Sequence, residues 1–306
     1  MKNQQKAYGF ALMAVACWST IGSAFKISLR YTDFLTLLLI ASFVAFVVLF
    51  LTFTFQGRSL NKDSFSIRHL GSSALAGLLN PFLYYVVLLQ AYDRLPAQEA
   101  GTLNYIWPLV LVLLSIPILK QKIHFTSILA VLVSFFGIIL ISTHGKLATM
   151  EFHDPVGVLL AVGSAVFWAL YFILNMKDPR GDLEKILLNF GFGAVYVLIY
   201  YLLRGNFRMP VWQGIAGGVY LGFFEMGIPF VLWLKALNFS RTTANVSNLI
   251  YLSPFISLIL IHFVVGETIL WSTVIGLVFI IAGIVWQGMG RGTRDEGHGT
   301  VDDSGE

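Results

Sequence analysis

The chain has 306 residues, 57% of them hydrophobic and 12% charged, with a mean hydropathy of +0.77, which excludes an ordinary soluble domain. The formal net charge of +4 comes from basic residues standing in short gaps between apolar blocks, a pattern that argues against nucleic acid and for a lipid bilayer as partner. The single cysteine, Cys17, excludes an intramolecular disulfide and a cysteine-rich metal site.

Ten apolar blocks follow one another, roughly at 7–27, 33–55, 69–91, 97–119, 125–143, 155–175, 183–203, 212–236, 242–265 and 269–289. Each is long enough to cross a hydrocarbon core of about 30 Å as a helix, so ten transmembrane helices are expected. Lys2 and Lys6 before the first block imitate a secretory signal. No small-x-small cleavage site follows, so that block is read as a retained span. The gaps are too short to hold a soluble domain, and residues 291–306 form a polar, Gly-rich tail that reads as disordered and cytoplasmic.

Lys and Arg in the loops set the orientation. Fourteen of the twenty (Lys2, Lys6, Arg58, Lys62, Arg68, Lys120, Lys122, Lys177, Arg180, Lys185, Lys235, Arg241, Arg291 and Arg294) fall on one side, and six (Lys26, Arg30, Arg94, Lys146, Arg204 and Arg208) on the other. The bias places both termini in the cytoplasm of a cell inner membrane, as an even span count requires.

The chain repeats itself. Gly77 pairs with Gly222 and Ala91 with Ala236 at a spacing of 145; Tyr105 pairs with Tyr251, Pro108 with Pro254 and Gly137 with Gly283 at 146. Trp18 answers to Trp168 at 150. The expected division is a first five-helix repeat at 1–144, a linker at 145–154 and a second repeat at 155–290. Five spans per half is an odd number, so the second half enters the membrane with reversed polarity. The fold class is therefore an all-α membrane protein: ten helices as two inverted repeats around a central cavity, an arrangement suited to alternating access.

Candidate site residues gather where such a chain can least afford polarity. In the third span Asn80 and Tyr84 stand beside Pro81, with Tyr85 and Gln90 as weaker candidates. In the fourth, Thr102, Asn104, Tyr105 and Trp107 precede Pro108; in the ninth, Asn245, Asn248 and Tyr251 precede Pro254. Proline removes a backbone donor and bends a helix, so Pro81, Pro108, Pro229 and Pro254 are candidate kinks or gates. Trp168 lies within the sixth span, as Trp18 lies within the first. Tyr220, Trp233 and Lys235 extend the list in the eighth span, with Lys235 expected to snorkel to the interface. Glu225 stands mid-span between Phe224 and Met226, and its counterpart in the first half is Asn80. A carboxylate there costs at least ~2.5 kcal/mol to insert, so it should face a cavity or carry a proton; it is the candidate for proton coupling or for binding a substrate amine. For each of these the plain alternative is interhelical hydrogen bonding or packing.

No catalytic motif is present: there is no H-E-x-x-H, no G-x-S-x-G and no P-loop, and the histidines at 69, 124, 144 and 153 show no ligand-like spacing to acids. Neither an enzyme nor a cofactor or metal is expected.

Ten spans in two five-span halves, a Trp in the first span of each, and a polar Pro-containing fourth span resemble the EamA branch of the drug/metabolite transporter superfamily over residues 7–289. The string Leu103-Asn104-Tyr105-Ile106-Trp107-Pro108 is similar to that of an aromatic amino acid exporter in that superfamily. The resemblance implies a basket of ten helices whose cavity is walled by spans 1, 3, 4, 6, 8 and 9, and it implies a site role for Asn104, Tyr105 and Trp107. The expected activity is secondary transport of amino acids, aromatic or neutral, or of related small metabolites, out of the cell. The alternative is export of drugs or quaternary cations, with Glu225 as charge partner and aromatic faces holding the cation.

Overall fold

A computed structural model of the chain describes residues 3–57, 60, 62–119, 125–147, 154–205, 209–240, 246 and 248–295. Seven described helices are long and apolar enough to cross a membrane: Gln4–Ser28, Phe34–Phe55, Ile67–Arg94, Ala97–Ile118, Pro155–Lys177, Asp182–Arg204 and Trp212–Phe239. Three shorter apolar helices, Leu129–Ser142, Leu249–Val265 and Trp271–Trp286, occupy the remaining expected positions, giving ten spans in chain order.

Local chemistry fixes where several of them begin and end. Asp33 opens the second span by accepting from the amides of Leu35 and Thr36, both at 3.0 Å, and Asp154 opens the sixth by accepting from Gly157 at 2.9 Å. Gly205 closes the seventh at φ 66°, a left-handed conformation that a side chain would strain.

The first span breaks at Thr20, between Gln4–Ser19 and Ile21–Ser28, and four more are interrupted at or beside the expected prolines Pro81, Pro108, Pro229 and Pro254. The third runs as Ile67–Gly77, a wide turn Leu78–Leu83 and Tyr84–Arg94, and Asn80, the residue before Pro81, leaves the helical region with φ −147° and ψ 123°. The eighth repeats this as Trp212–Leu221, a wide turn Gly222–Gly227 and Ile228–Phe239, with Pro229 in the first turn of its last segment. The fourth divides into Ala97–Asn104 and Trp107–Leu119. In the ninth, a tight turn Asn248–Leu252 leads into Ser253–Leu260 at Pro254.

The two halves pack reciprocally. The first span lies on the eighth as the third lies on the sixth, and the first on the ninth as the fourth on the sixth. The second lies on the eighth as the third lies on the seventh; the second also meets the seventh, and the fifth the tenth. This is the contact set of a two-fold relation between inverted repeats. The fifth–tenth contact shows it atom by atom. A Cβ built on Gly137 would fall 2.5 Å from the Gly276 carbonyl, and one on Gly283 would fall 2.6 Å from the Ala130 carbonyl. The equivalent residues of each pair are 146 positions apart, and only a bare Cα permits this approach.

Candidate functional site

Between the halves lies a chamber of about 710 Å³. Its walls come from spans 1, 3, 4, 6, 8 and 9, together with the start of the seventh, which contributes Asp182, Lys185 and Ile186. One end reaches the surface, where Met176 is 65% exposed and the Asp182 side chain 57%. The other end stops at Ala97 and Gln98, which are 0% and 3% exposed.

Of the residues singled out in the sequence, Tyr84, Thr102, Asn104, Tyr105, Trp107, Pro108, Trp168, Glu225, Tyr251 and Pro254 stand in this wall, as do Trp18 and Trp233. Asn80, Pro81 and Pro229 do not; Asn80 and Pro81 are buried within the wide turn Leu78–Leu83, and Pro229 is buried in the helix that follows the other wide turn. Pro81 packs there against Gly193 of the seventh span. Asn245 and the side chain of Asn248 lie outside the described residues.

The polar wall residues tie the spans together. The Tyr84 hydroxyl donates to Asn104 Oδ1 at 3.1 Å, and Asn104 Nδ2 donates to Ser164 Oγ at 2.8 Å, so one amide joins spans 3, 4 and 6. The Tyr105 hydroxyl donates to the carbonyl of Ile250, joining the two bent helices of opposite halves. Glu225, 8% exposed, borders the chamber and accepts at Oε1 from the hydroxyl of Tyr85 at 2.9 Å. Tyr85 is fully buried behind the wall and supports the carboxylate from there. The indole of Trp18 donates to the Glu225 carbonyl at 3.4 Å. Around these groups the rings form a continuous surface: Tyr84–Trp168 at 4.7 Å, Trp107–Phe172 at 5.2 Å, Trp168–Phe230 at 6.0 Å and Trp18–Trp233 at 5.6 Å between centroids.

Three weaker candidates fall elsewhere. Gln90 donates within its own helix to the Val86 carbonyl at 2.8 Å, Tyr220 shares a 2.7 Å hydrogen bond with Thr20, and Lys235 lies 5.6 Å from the ring centroid of Phe10. Among the described residues, no three His, Cys, Asp or Glu side chains come together to hold a metal ion.

The closed end carries a polar latch that spacing along the chain does not reveal. Glu267, in the loop after the ninth span, accepts from the first free amides of the fourth span, Ala97 at 2.8 Å and Gln98 at 3.2 Å. Gln98 answers by donating to the Thr268 carbonyl at 2.8 Å and accepting from Leu270 at 2.9 Å. Lys26 turns inward to the carbonyls of Tyr92 and Leu95 at 2.9 and 2.8 Å. His144, which shows no ligand-like spacing to acids along the chain, has Nε2 2.6 Å from Oε1 of Glu99, whose side chain is 1% exposed. Those partners are 45 residues apart and meet only because the fourth and fifth spans do. The available signal was Glu99 itself, an acid at the start of an apolar run.

At the other end, Arg180 and Asp178 form a buried ion pair of 2.5 Å, each side chain 5% exposed. Burial alone would raise the Asp178 carboxyl, but hydrogen bonds and charge from Arg180 outweigh it and hold the group below its ordinary 3.8.

Reciprocal five-helix halves around a chamber sealed at one end define a polytopic membrane carrier. The chain belongs to the EamA-like transporter family, which it matches over residues 5–143 and 155–288. It is similar to an uncharacterized transporter of Clostridium kluyveri, 25% identical over 294 residues that cover 92% of each chain. It is also similar to the protein PecM of Dickeya dadantii, 23% identical over 68% of this chain and 70% of that one. A solved crystal structure shares the fold with a TM-score of 0.63 at 20% identity, covering 94% of this chain and 98% of the other.

Proposed function

We propose that the protein is a secondary transporter that exports small organic solutes by alternating access, taking amino acids, aromatic or neutral, or related metabolites that carry an amine and an apolar body. The observation that carries this is the Glu225 carboxylate, deep in a ring-lined chamber between inverted halves. The repeats divide at 1–144 and 155–290, joined by 145–154. The basic loops place the Met176–Asp182 mouth in the cytoplasm of an inner-membrane protein with both termini inside. A chamber open on that side and latched on the other is poised to load from the cytoplasm, which supports export. Substrate lining is assigned to Tyr84, Thr102, Asn104, Tyr105, Trp107, Trp168, Glu225 and Tyr251, and bending to Pro81, Pro108, Pro229 and Pro254. Glu225 couples transport to protons by binding either a proton or the substrate amine, and Tyr85 positions its carboxylate. Export of drugs or quaternary cations is the second reading, favoured by the lone acid among aromatic rings.

The test is purified protein in liposomes, measuring counterflow of labelled amino acids and lipophilic cations with and without a pH gradient. Counterflow that responds to the gradient, and that Glu225→Gln stops, is expected. Uptake and pH response unchanged in Glu225→Gln would remove the coupling role, and no counterflow of any solute would remove the transport reading.

A further inference from the structure

We infer that the chamber selects monocationic amines bearing an aromatic or apolar body over zwitterions carrying the same body. This rests on the transporter reading and, within it, sets amine-bearing metabolites above the amino acids themselves. Three independent observations lead here.

The first is charge. Among the described wall residues the charged side chains are Asp182, Lys185 and Glu225, and the first two pair with each other at 2.9 Å at the mouth. Deeper in, Glu225 stands without a cation. Its Oε1 takes the Tyr85 hydroxyl, and among the described residues no donor reaches Oε2. The remaining charge is therefore a negative one, on a residue only 8% exposed, where an unpaired carboxylate costs free energy.

The second is the wall beside it. Trp18 touches the Glu225 backbone through its indole and packs on Phe230 at 6.1 Å, edge to face. Phe230 in turn meets Trp168, and Trp168 meets Tyr84. A carboxylate set among ring faces attracts an ammonium group by charge and by the ring quadrupoles, and the rings also cover an apolar body.

The third is a shortage of free cationic donors. A zwitterion brings a carboxylate that must be hydrogen-bonded once it leaves water. The side-chain amides in the wall each already give one hydrogen to the protein, Asn104 to Ser164, Gln98 to Thr268 and Asn175 to the Tyr171 carbonyl at 2.7 Å, and the indoles of Trp107, Trp168 and Trp233 add only neutral donors. Lys185 is held by the carbonyls of Asn175 and Asp178 at 3.2 and 3.3 Å, as well as by Asp182. A substrate carboxylate would compete with these bonds in a chamber whose deep charge already has its own sign. Discrimination of this kind comes from the penalty on the wrong ligand as much as from attraction of the right one.

The experiment is calorimetric binding to the full chain in lipid nanodiscs, with tryptamine, tryptophan and indole-3-propionate as probes sharing one ring system. Tryptamine is expected to bind at least about tenfold tighter than tryptophan, a ratio that corresponds to roughly 1.4 kcal/mol, and the acid not at all. Glu225→Gln, checked for folding by its melting temperature, is expected to abolish tryptamine binding, and Phe230→Leu to weaken it several-fold. If Glu225→Gln does not fold, the ratio in the native chain and the Phe230→Leu result decide. Tryptophan binding as tightly as tryptamine, binding of none of the probes, or a ratio that survives Glu225→Gln overturns the inference. Amino acid counterflow without any amine preference would sink this selectivity while leaving the transporter reading in place. Absence of all counterflow would sink the transporter reading whatever the binding ratio.

Discussion

Glu267→Ala is expected to loosen the closed end of the chamber and to let reagents in from that side. The carboxylate accepts from two helix-terminal amides, at 2.8 and 3.2 Å, that have no partner within their own helix. A hydrogen bond to a charged group is worth ~1.5–3 kcal/mol when dry, and the partial exposure of Glu267 lets water replace part of that. A net loss of about 1.5 kcal/mol from the closed state remains, which shifts the closed-to-open ratio by about tenfold. The assay uses Cys17→Ser with Thr102→Cys, which places one thiol in the chamber wall, and a membrane-impermeant maleimide applied to the latched face of proteoliposomes. If opening is rapid relative to labelling, the rate reports the open fraction. It is expected to rise about tenfold in Glu267→Ala, and less in Glu267→Gln, whose amide oxygen still accepts one bond. A labelling rate that does not change would refute the claim that this contact holds the end shut.

Two further outcomes follow from the packing and from the ion pair at the mouth of the chamber. Gly137→Ala and Gly283→Ala each drive a methyl group into a backbone carbonyl on the fifth–tenth contact, so each should destabilise by ~1–3 kcal/mol and by similar amounts, read as a lower melting temperature in detergent. A neutral result at either position would contradict the reciprocal packing. For Asp178 the sign follows from its depressed folded-state pKa: the stabilisation is complete above the unfolded value near 3.9 and is lost as pH falls through the lower folded value. Asp178→Asn, which leaves Arg180 buried without its counter-ion, should destabilise at neutral pH by about 3 kcal/mol and flatten the acid branch of the melting curve against pH. An acid branch identical to that of the native chain would refute it.

The sequence by itself determined what depends on local composition and on repetition. Ten apolar runs of about twenty residues dictate ten helices because a helix satisfies every backbone group in lipid within one such run, and prolines such as Pro81 and Pro254 mark bends because their ring removes a backbone donor and crowds the preceding turn. The 146-residue spacing of Tyr105 with Tyr251 and of Gly137 with Gly283 showed the two copies, and the odd number of spans in each inverts the second, so equivalent residues lie at depths mirrored across the bilayer. Glu225 was visible as a site candidate because a lone acid in lipid needs a reason. Tertiary structure alone decided which neighbours those residues have. It set Tyr85 behind Glu225 instead of beside it, sent Asn80 into buried packing, and brought Glu99 to His144 and Glu267 to the free amides of Ala97 and Gln98. Each of these depends on the rotation of a helix about its axis, or on two segments meeting far from each other in the chain. Hydropathy is blind to both, because it records how apolar a span is and not which face it turns toward the others.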